Sequence, residues 1–284
     1  MLNSIRLKMT LALAILFAFG AAGTLRAEEP GGIFWFKDIE KASEAAIKEN
    51  KIMMVDFWAD WCAACKFMDA DVYPDPEVIA TVNERVVSVK IHFDMQQELA
   101  RKYGIPALPF MLFTNSYGTK LFYHRGILEK ENLIMILKAL PKDVAEINRI
   151  DRGLQEDNNS ADGLVAMGAE MRQTGFYESS NDFYTRALKQ NDLKKDATKR
   201  EAAMFAIGKN ALELMDGKTA AATFEKCLKD FPKSANRAAY LLGAGQAYAL
   251  DEKKDKARKT LDSVVSEFPQ SESASKAAEI LKQL

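Results

Sequence analysis

The stretch VDFWADWCAACK, residues 55–66, holds two of the three cysteines in a chain of 284 residues. It continues a short apolar run that starts at Ile52, ends at Ala59 and is bounded by polar residues, which reads as a buried strand. Cys62 and Cys65 then open a helix. A structural zinc site needs four Cys or His ligands, and the other candidates, Cys227, His92 and His124, are not paired at ligand spacing, so no metal is expected. A passive crosslink explains the pair poorly, because a bridge closing so small a loop removes little entropy from the unfolded chain. Redox chemistry suits the spacing better. At a helix N-terminus the first sulfur meets unpaired N–H groups and the positive end of the dipole, which favour a thiolate. The second sulfur lies one turn along, within reach of the first but better covered. Cys62 can then attack a foreign disulfide, and Cys65 can release the resulting mixed disulfide.

Working outward, residues 37–49 carry Ile39, Ala42, Ala46 and Ile47 at helical spacing, ahead of the strand. After the cysteine pair, Pro74-Asp75-Pro76 breaks the chain and starts a helix to about Arg85. Residues 86–91 are β-branched and predict a strand, and residues 95–103 predict a helix stopped by Gly104. Two short strands, 110–113 and 120–124, flank the hairpin signal Asn115-Ser116-Tyr117-Gly118, and a helix over 129–140 closes the half. The order α, β, α, α, β, α, β, β, α implies an α/β domain, a mixed sheet with helices on both faces.

After Pro141 the strand signals stop. Residues 142–160 predict a connecting helix and a polar loop, and a helical repeat follows. Gly168, Ser180, Tyr184 and Ala187 share their offsets with Gly208, Ala220, Phe224 and Cys227. With two residues added in the turn, Gly243, Ala257, Leu261 and Val264 continue the series, giving glycine steps of 40 and 35 residues. Phe231-Pro232 is answered by Phe268-Pro269. This resembles the tetratricopeptide pattern, with three degenerate repeats and a final helix from Ser273 to Leu284. Cys227 falls at the small-residue position of its repeat, where a buried packing role is expected.

The first half resembles a thioredoxin-fold domain, since VDFWADWCAACK is close to the thioredoxin active-site block. Asp75-Pro76-Glu77-Val78 makes the nearer likeness the periplasmic C-terminal domain of the transmembrane thiol:disulfide interchange reductase. The resemblance implies a thiol:disulfide exchange enzyme in which Cys62 and Cys65 form the redox disulfide. It also assigns Asp56, a carboxylate that interrupts an apolar strand, as the proton acceptor for Cys65, and Pro109 as the family's cis-proline, with Pro106 the competing proline. The Leu108 backbone would pair with an extended substrate segment, and Trp61 would flank an exposed Cys62 sulfur as a contact surface. Ala63-Ala64 replaces the Gly-Pro that thioredoxins carry between the cysteines. With no histidine there to stabilise the thiolate, the reductase direction is expected. Lys66 is read as a solvated surface residue, and His92 and His124 as packing residues without partners.

The N-terminus sets the compartment. Arg6 and Lys8 precede an apolar run to Gly23, and Leu25-Arg26-Ala27 ends in a small residue, the order of a secretory signal peptide over residues 1–27. An uncleaved anchor is the alternative, but the run is shorter than the roughly 20 apolar residues that span a membrane. Cleavage would remove three of the 39 basic residues and none of the 40 acidic ones, leaving a net charge of −4, which argues against nucleic acid as a partner. The expected organisation is therefore a signal peptide (1–27), a thioredoxin-like domain (33–141), a linker helix and loop (142–160) and an all-α tetratricopeptide-like domain (161–284). The expected partners are protein disulfides, a membrane electron donor and a protein or peptide on the repeats, with no cofactor and a periplasmic location. The competing readings are an adaptor whose dithiol is incidental, and a disulfide oxidase or isomerase.

Overall fold

Strand β2 (Ile52–Trp58) is the centre of a five-stranded sheet of order β1-β3-β2-β4-β5, and its first six residues are buried. The computed structural model describes residues 31–157 and 159–284, so the expected signal peptide lies outside the described residues. Strands β1 (Trp35–Phe36) and β3 (Val86–His92) run parallel to β2, while β4 (Phe110–Thr114) and β5 (Lys120–Arg125) complete the sheet in antiparallel pairing. Alternation along β2 divides its side chains between two apolar layers. Met53, Val55 and Phe57 face Ala42 and Ala46 of α1 (Ile39–Glu49) and Ala100 of α4 (Gln97–Tyr103). Ile52 and Met54 face Val78 and Val82 of α3 (Pro76–Arg85) and Leu133 and Leu137 of α5 (Lys130–Ala139). A strand covered on both sides needs a continuous apolar run, which is why 52–59 carries one.

Local chemistry sets the element ends. Asp38 caps α1 by accepting the Lys41 N–H at 2.9 Å. Asp75 caps α3 by accepting the N–H groups of Glu77 and Val78, with Pro76 inside the first turn where its missing donor costs nothing. In the β4–β5 hairpin, Asn115 Oδ1 accepts from the N–H groups of Tyr117 and Thr119, and Gly118 takes φ +86°. Two features escaped the sequence reading. β1 is only two residues long, and α2 (Ala63–Phe67) continues into a π-helical turn, Met68–Val72.

The stretch from 142 to 160 forms α6 (Ala145–Glu156), which does more than span a gap. Asn148 Oδ1 accepts from the Ser116 N–H at 3.2 Å, and Asp151 accepts from Asn115 Nδ2 at 3.0 Å and from the Thr119 hydroxyl at 2.9 Å. Ile147, Ile150 and Leu154 join the same apolar core as Met54 and Leu133. The helix is thus bonded into the hairpin turn.

Three helix pairs follow: α7 (Ala161–Gln173) with α8 (Tyr177–Lys189), α10 (Ala197–Glu213) with α11 (Gly217–Asp230), and α12 (Arg237–Leu250) with α13 (Lys254–Glu267). A short α9 (Asn191–Lys195) lies between the first two pairs, and α14 (Glu272–Leu281) ends the array. The structure corrects the register of the third repeat. A Cβ on Gly168 would lie 3.0 Å from the Tyr184 ring, one on Gly208 would lie 2.8 Å from Phe224, and the equivalent contact, to Leu261 at 2.5 Å, belongs to Gly245 rather than Gly243. With Gly245 in place no turn insertion is needed, and the glycine steps become 40 and 37 residues. Gly243 instead meets Phe224, across from Gly208, so one ring is clasped by glycines of two successive repeats. Cys227 is fully buried in α11, as its repeat position implies, and burial pushes its thiol up to about 11.

The first repeat seats on the sheet's edge strand. Ser179 of α8 donates its hydroxyl to the Leu121 carbonyl and, at 3.3 Å, to that of Lys120, while the Phe122 and Phe176 rings stack at 6.0 Å. The exposed edge of β5 is covered in this way.

Candidate active site

β2 ends at Trp58, and the turn Ala59-Asp60-Trp61 delivers Cys62 to the start of α2. Cys62 is the N-cap residue, and its Sγ accepts the Cys65 N–H at 3.1 Å. Cys62 and Cys65 are joined in a disulfide with their Cα atoms 5.3 Å apart. The expectation of an exposed leading sulfur and a covered second one needs correction, because Cys62 is 5% exposed and Cys65 3%. Ala59, Trp58, Ala64, Phe93 and Leu108 close around both residues, leaving little difference between them in the oxidised pair. Trp61 is 64% exposed beside the bridge, and its indole N–H donates to Asp94 Oδ2 at 2.8 Å.

Asp56 lies on the central strand and is 3% exposed, so its carboxyl is held in the interior rather than at a solvent-facing edge. Burial pushes its carboxyl up to about 6, against the opposing pull of Lys90, whose Nζ is 3.7 Å away. The Tyr73 hydroxyl adds to that pull, although its buried oxygen has no hydrogen bond of standard geometry among the described residues. Burial and the neighbouring Asp56 in turn hold the Tyr73 phenol well above its ordinary range. Lys90 also pairs with Asp69 and sits 5.2 to 5.4 Å from the ring centroids of Trp35, Trp58 and Tyr73.

Sequence reasoning missed Lys90 and Tyr73. A signal for Lys90 existed: Asp56 and Lys90 are direct partners in the β2–β3 register, opposite charges at matching places in two apolar strands. His92 also needs correction, since it does have a partner. β3 extends far enough to set His92 Nε2 3.2 Å from Asp60 Oδ2 and its ring 4.9 Å from that of Trp58. His124 Nε2 lies 3.2 Å from the Ile127 carbonyl, and Lys66 is exposed as expected.

On the other flank, the Leu108–Pro109 peptide bond is cis, the form that the resemblance assigns to Pro109, while Pro106 is exposed. Leu108 packs on the cysteine cluster, and the Pro109 carbonyl accepts the Gly126 N–H at 2.9 Å. The structure thus brings Trp61, Cys62, Cys65 and Leu108–Pro109 to one face, with Asp56 inside the strand that leads to it.

A mixed sheet between helical layers, a Cys-x-x-Cys pair capping the helix after the central strand and a cis-proline beside it define a thioredoxin-fold protein, here followed by helical repeats. The thioredoxin profile matches residues 37–139, and the tetratricopeptide repeat profile matches 202–234 and 239–271, two segments whose spacing agrees with the Gly208 to Gly245 register. A thioredoxin of Echinococcus granulosus is 39% identical over 71 residues, covering 25% of this chain and 63% of that protein. The thiol:disulfide interchange protein DsbD of Photorhabdus laumondii is 31% identical over 98 residues, covering 33% of this chain and 17% of that protein. The chain thus spans less than two thirds of the length of either relative. A thioredoxin of Rickettsia bellii is 32% identical over 92 residues, covering 32% of this chain and 83% of that protein. The chain belongs to the thioredoxin family.

Proposed function

We propose that this protein is an exported thiol:disulfide oxidoreductase that reduces protein disulfides through Cys62 and Cys65. The observation that carries this reading is the Cys62–Cys65 bridge at the head of α2 with the buried Asp56 carboxyl on the strand behind it. In the reduced form the Cys62 thiolate attacks one sulfur of a substrate disulfide, a mixed disulfide forms, and the other substrate sulfur leaves as a thiolate. Asp56, at about 6, is ionised at neutral pH yet more basic than an ordinary aspartate, which suits it to take the proton of Cys65. The Cys65 thiolate then attacks Cys62, the Cys62–Cys65 bridge closes, and the second substrate thiol is released. Two electrons have passed to the substrate, and a membrane dithiol protein would restore them.

Leu108 supports the extended substrate backbone beside Pro109, and Trp61 contacts the substrate next to Cys62. Residues 1–27 direct export to the periplasm, 33–141 act as the redox domain, 142–160 link the parts, and 161–284 hold a protein or peptide partner on the repeats. Insulin reduction with dithiothreitol as electron source tests the reading. The protein with the native pair is expected to be active, Cys62→Ser inactive, and Cys65→Ser, reduced and freed of dithiothreitol before mixing with insulin, trapped as a mixed disulfide; equal activity of Cys62→Ser and the native protein discards the proposal.

A further inference from the structure

Asp56 is sealed among groups that answer its charge only in part. Lys90 on β3 holds its Nζ 3.7 Å from Asp56 Oδ2, but the same ammonium pairs with Asp69 of the π-helical turn, so its charge is shared. On the other side the register sets Met111 opposite Asp56, and β4 carries no charged residue. An ionised carboxylate in such a place needs a further donor. Tyr73 stands where one is wanted. It follows the π-helical turn, its N–H donates to the Met68 carbonyl at 2.9 Å, and its ring meets that of Trp35 edge-on with centroids 5.1 Å apart. Lys90 Nζ lies 5.3 Å from the Tyr73 ring centroid, so ring and carboxylate share one ammonium. The Tyr73 oxygen is buried, finds no hydrogen bond elsewhere among the described residues, and acts on Asp56 as a donor that holds its carboxyl down. With its phenol held well above the ordinary range, Tyr73 keeps its own proton wherever the protein works.

We propose that Tyr73 is a positioning residue of the exchange reaction, whose hydroxyl donates to the ionised Asp56 carboxylate and keeps it ready for the Cys65 proton. The assignment rests on the reaction proposed above and adds a residue to it. A hydroxyl proton turns to suit its neighbour. Once Asp56 has taken the proton of Cys65, the phenol oxygen can accept from the new carboxylic O–H, so the pair is satisfied in both states. Donation to the charged form favours that form. A phenylalanine at this position would keep the ring against Trp35 and Lys90 and leave Asp56 with Lys90 alone. Loss of the bond raises the Asp56 titration by about one pH unit. At pH 6 the ionised fraction then falls about fivefold, and at pH 8 it falls by only about a tenth.

The test uses the full chain as native protein, Tyr73→Phe, Asp56→Asn and the double variant. In the oxidised proteins, with aspartate labelled with carbon-13 at the side-chain carboxyl, the Asp56 signal is the one missing from Asp56→Asn, and its titration is read directly. It is expected at about 6 in the native protein and about one unit higher in Tyr73→Phe. The reduced proteins, freed of reductant, are then mixed with bis(2-hydroxyethyl) disulfide, and acid quenching with mass analysis follows decay of the mixed disulfide at Cys62. In that step Cys65 gives its proton to Asp56 and attacks Cys62; the two protein thiols supply both electrons, and the probe leaves as two molecules of 2-mercaptoethanol. Tyr73→Phe is expected to slow the decay about fivefold at pH 6 and less than about twofold at pH 8, and to add nothing in the Asp56→Asn background. An Asp56 titration unmoved by Tyr73→Phe, or a slowing equal at pH 6 and pH 8, overturns the role of the hydroxyl while leaving the exchange reaction standing. A native protein that releases no thiol from the probe overturns the exchange reaction and the role of Tyr73 with it.

Discussion

At the residue scale, Asp56 sets burial against charge. Its folded-state value of about 6 lies above the ordinary 3.8, so the native state disfavours the ionised form that the unfolded chain adopts freely. The contribution of Asp56 to stability is therefore whole below about pH 4 and declines as the pH rises through 6, by about 3 kcal/mol in all. Asp56→Asn should flatten that decline, which urea denaturation of the oxidised protein at pH 4 and pH 8 measures directly; a variant as pH-sensitive as the native chain would acquit Asp56. The loss of an anionic partner for Lys90 offsets part of the gain at pH 8. The carboxylate was legible in the sequence because a lone acid inside an apolar strand needs a reason. Lys90 was not, because one lysine near a strand end reads as a surface residue until the register sets it opposite Asp56. The same limit hid the Asp60–His92 contact, which depends on how far β3 runs.

Elements of ordinary length declared themselves through periodicity and caps: the buried run of β2, the Asp75-Pro76 start of α3 and the Asn115 to Gly118 turn all stand where their chemistry puts them. What failed was register among near-equivalents. Leu241-Leu242-Gly243-Ala244-Gly245 offers two glycines, both closely approached, and only packing shows that Gly245 faces its own partner helix while Gly243 faces the preceding repeat. β1, at two residues, is defined by its pairing with β3 and has no pattern of its own to read. The clasp on Phe224 makes a measurable demand. Gly208→Ala would place a Cβ 2.8 Å from the ring, and the strain, about 1–3 kcal/mol, outweighs the gain in helix propensity of about 1 kcal/mol. A lower urea midpoint with an unchanged slope is expected; a midpoint at or above the native one would mean that the ring moves aside freely.

On the scale of the whole molecule, the contacts between sheet and repeats are built like a core rather than a tether. Phe176 is buried against Phe122, Ser179 serves the carbonyls of β5, and α6 is bonded to the hairpin. None of this could be read from the chain, since polar residues such as Asn148 and Asp151 look like an ordinary solvated helix face until their partners 32 to 36 positions away are known. Calorimetry should give one cooperative transition for the native protein and two for Phe176→Ala, which removes about 3–5 kcal/mol of packing at this junction; a single transition in both would show that the remaining contacts suffice. The sealed position of Cys227 has an analytical consequence of its own. With its thiol raised to about 11 and no access to solvent, it stays silent to aromatic disulfide reagents while the protein is folded. A colorimetric assay of the fully reduced chain should count two sulfhydryls in buffer and three in guanidinium, so this dormant cysteine doubles as a built-in gauge of how much of a preparation has come undone.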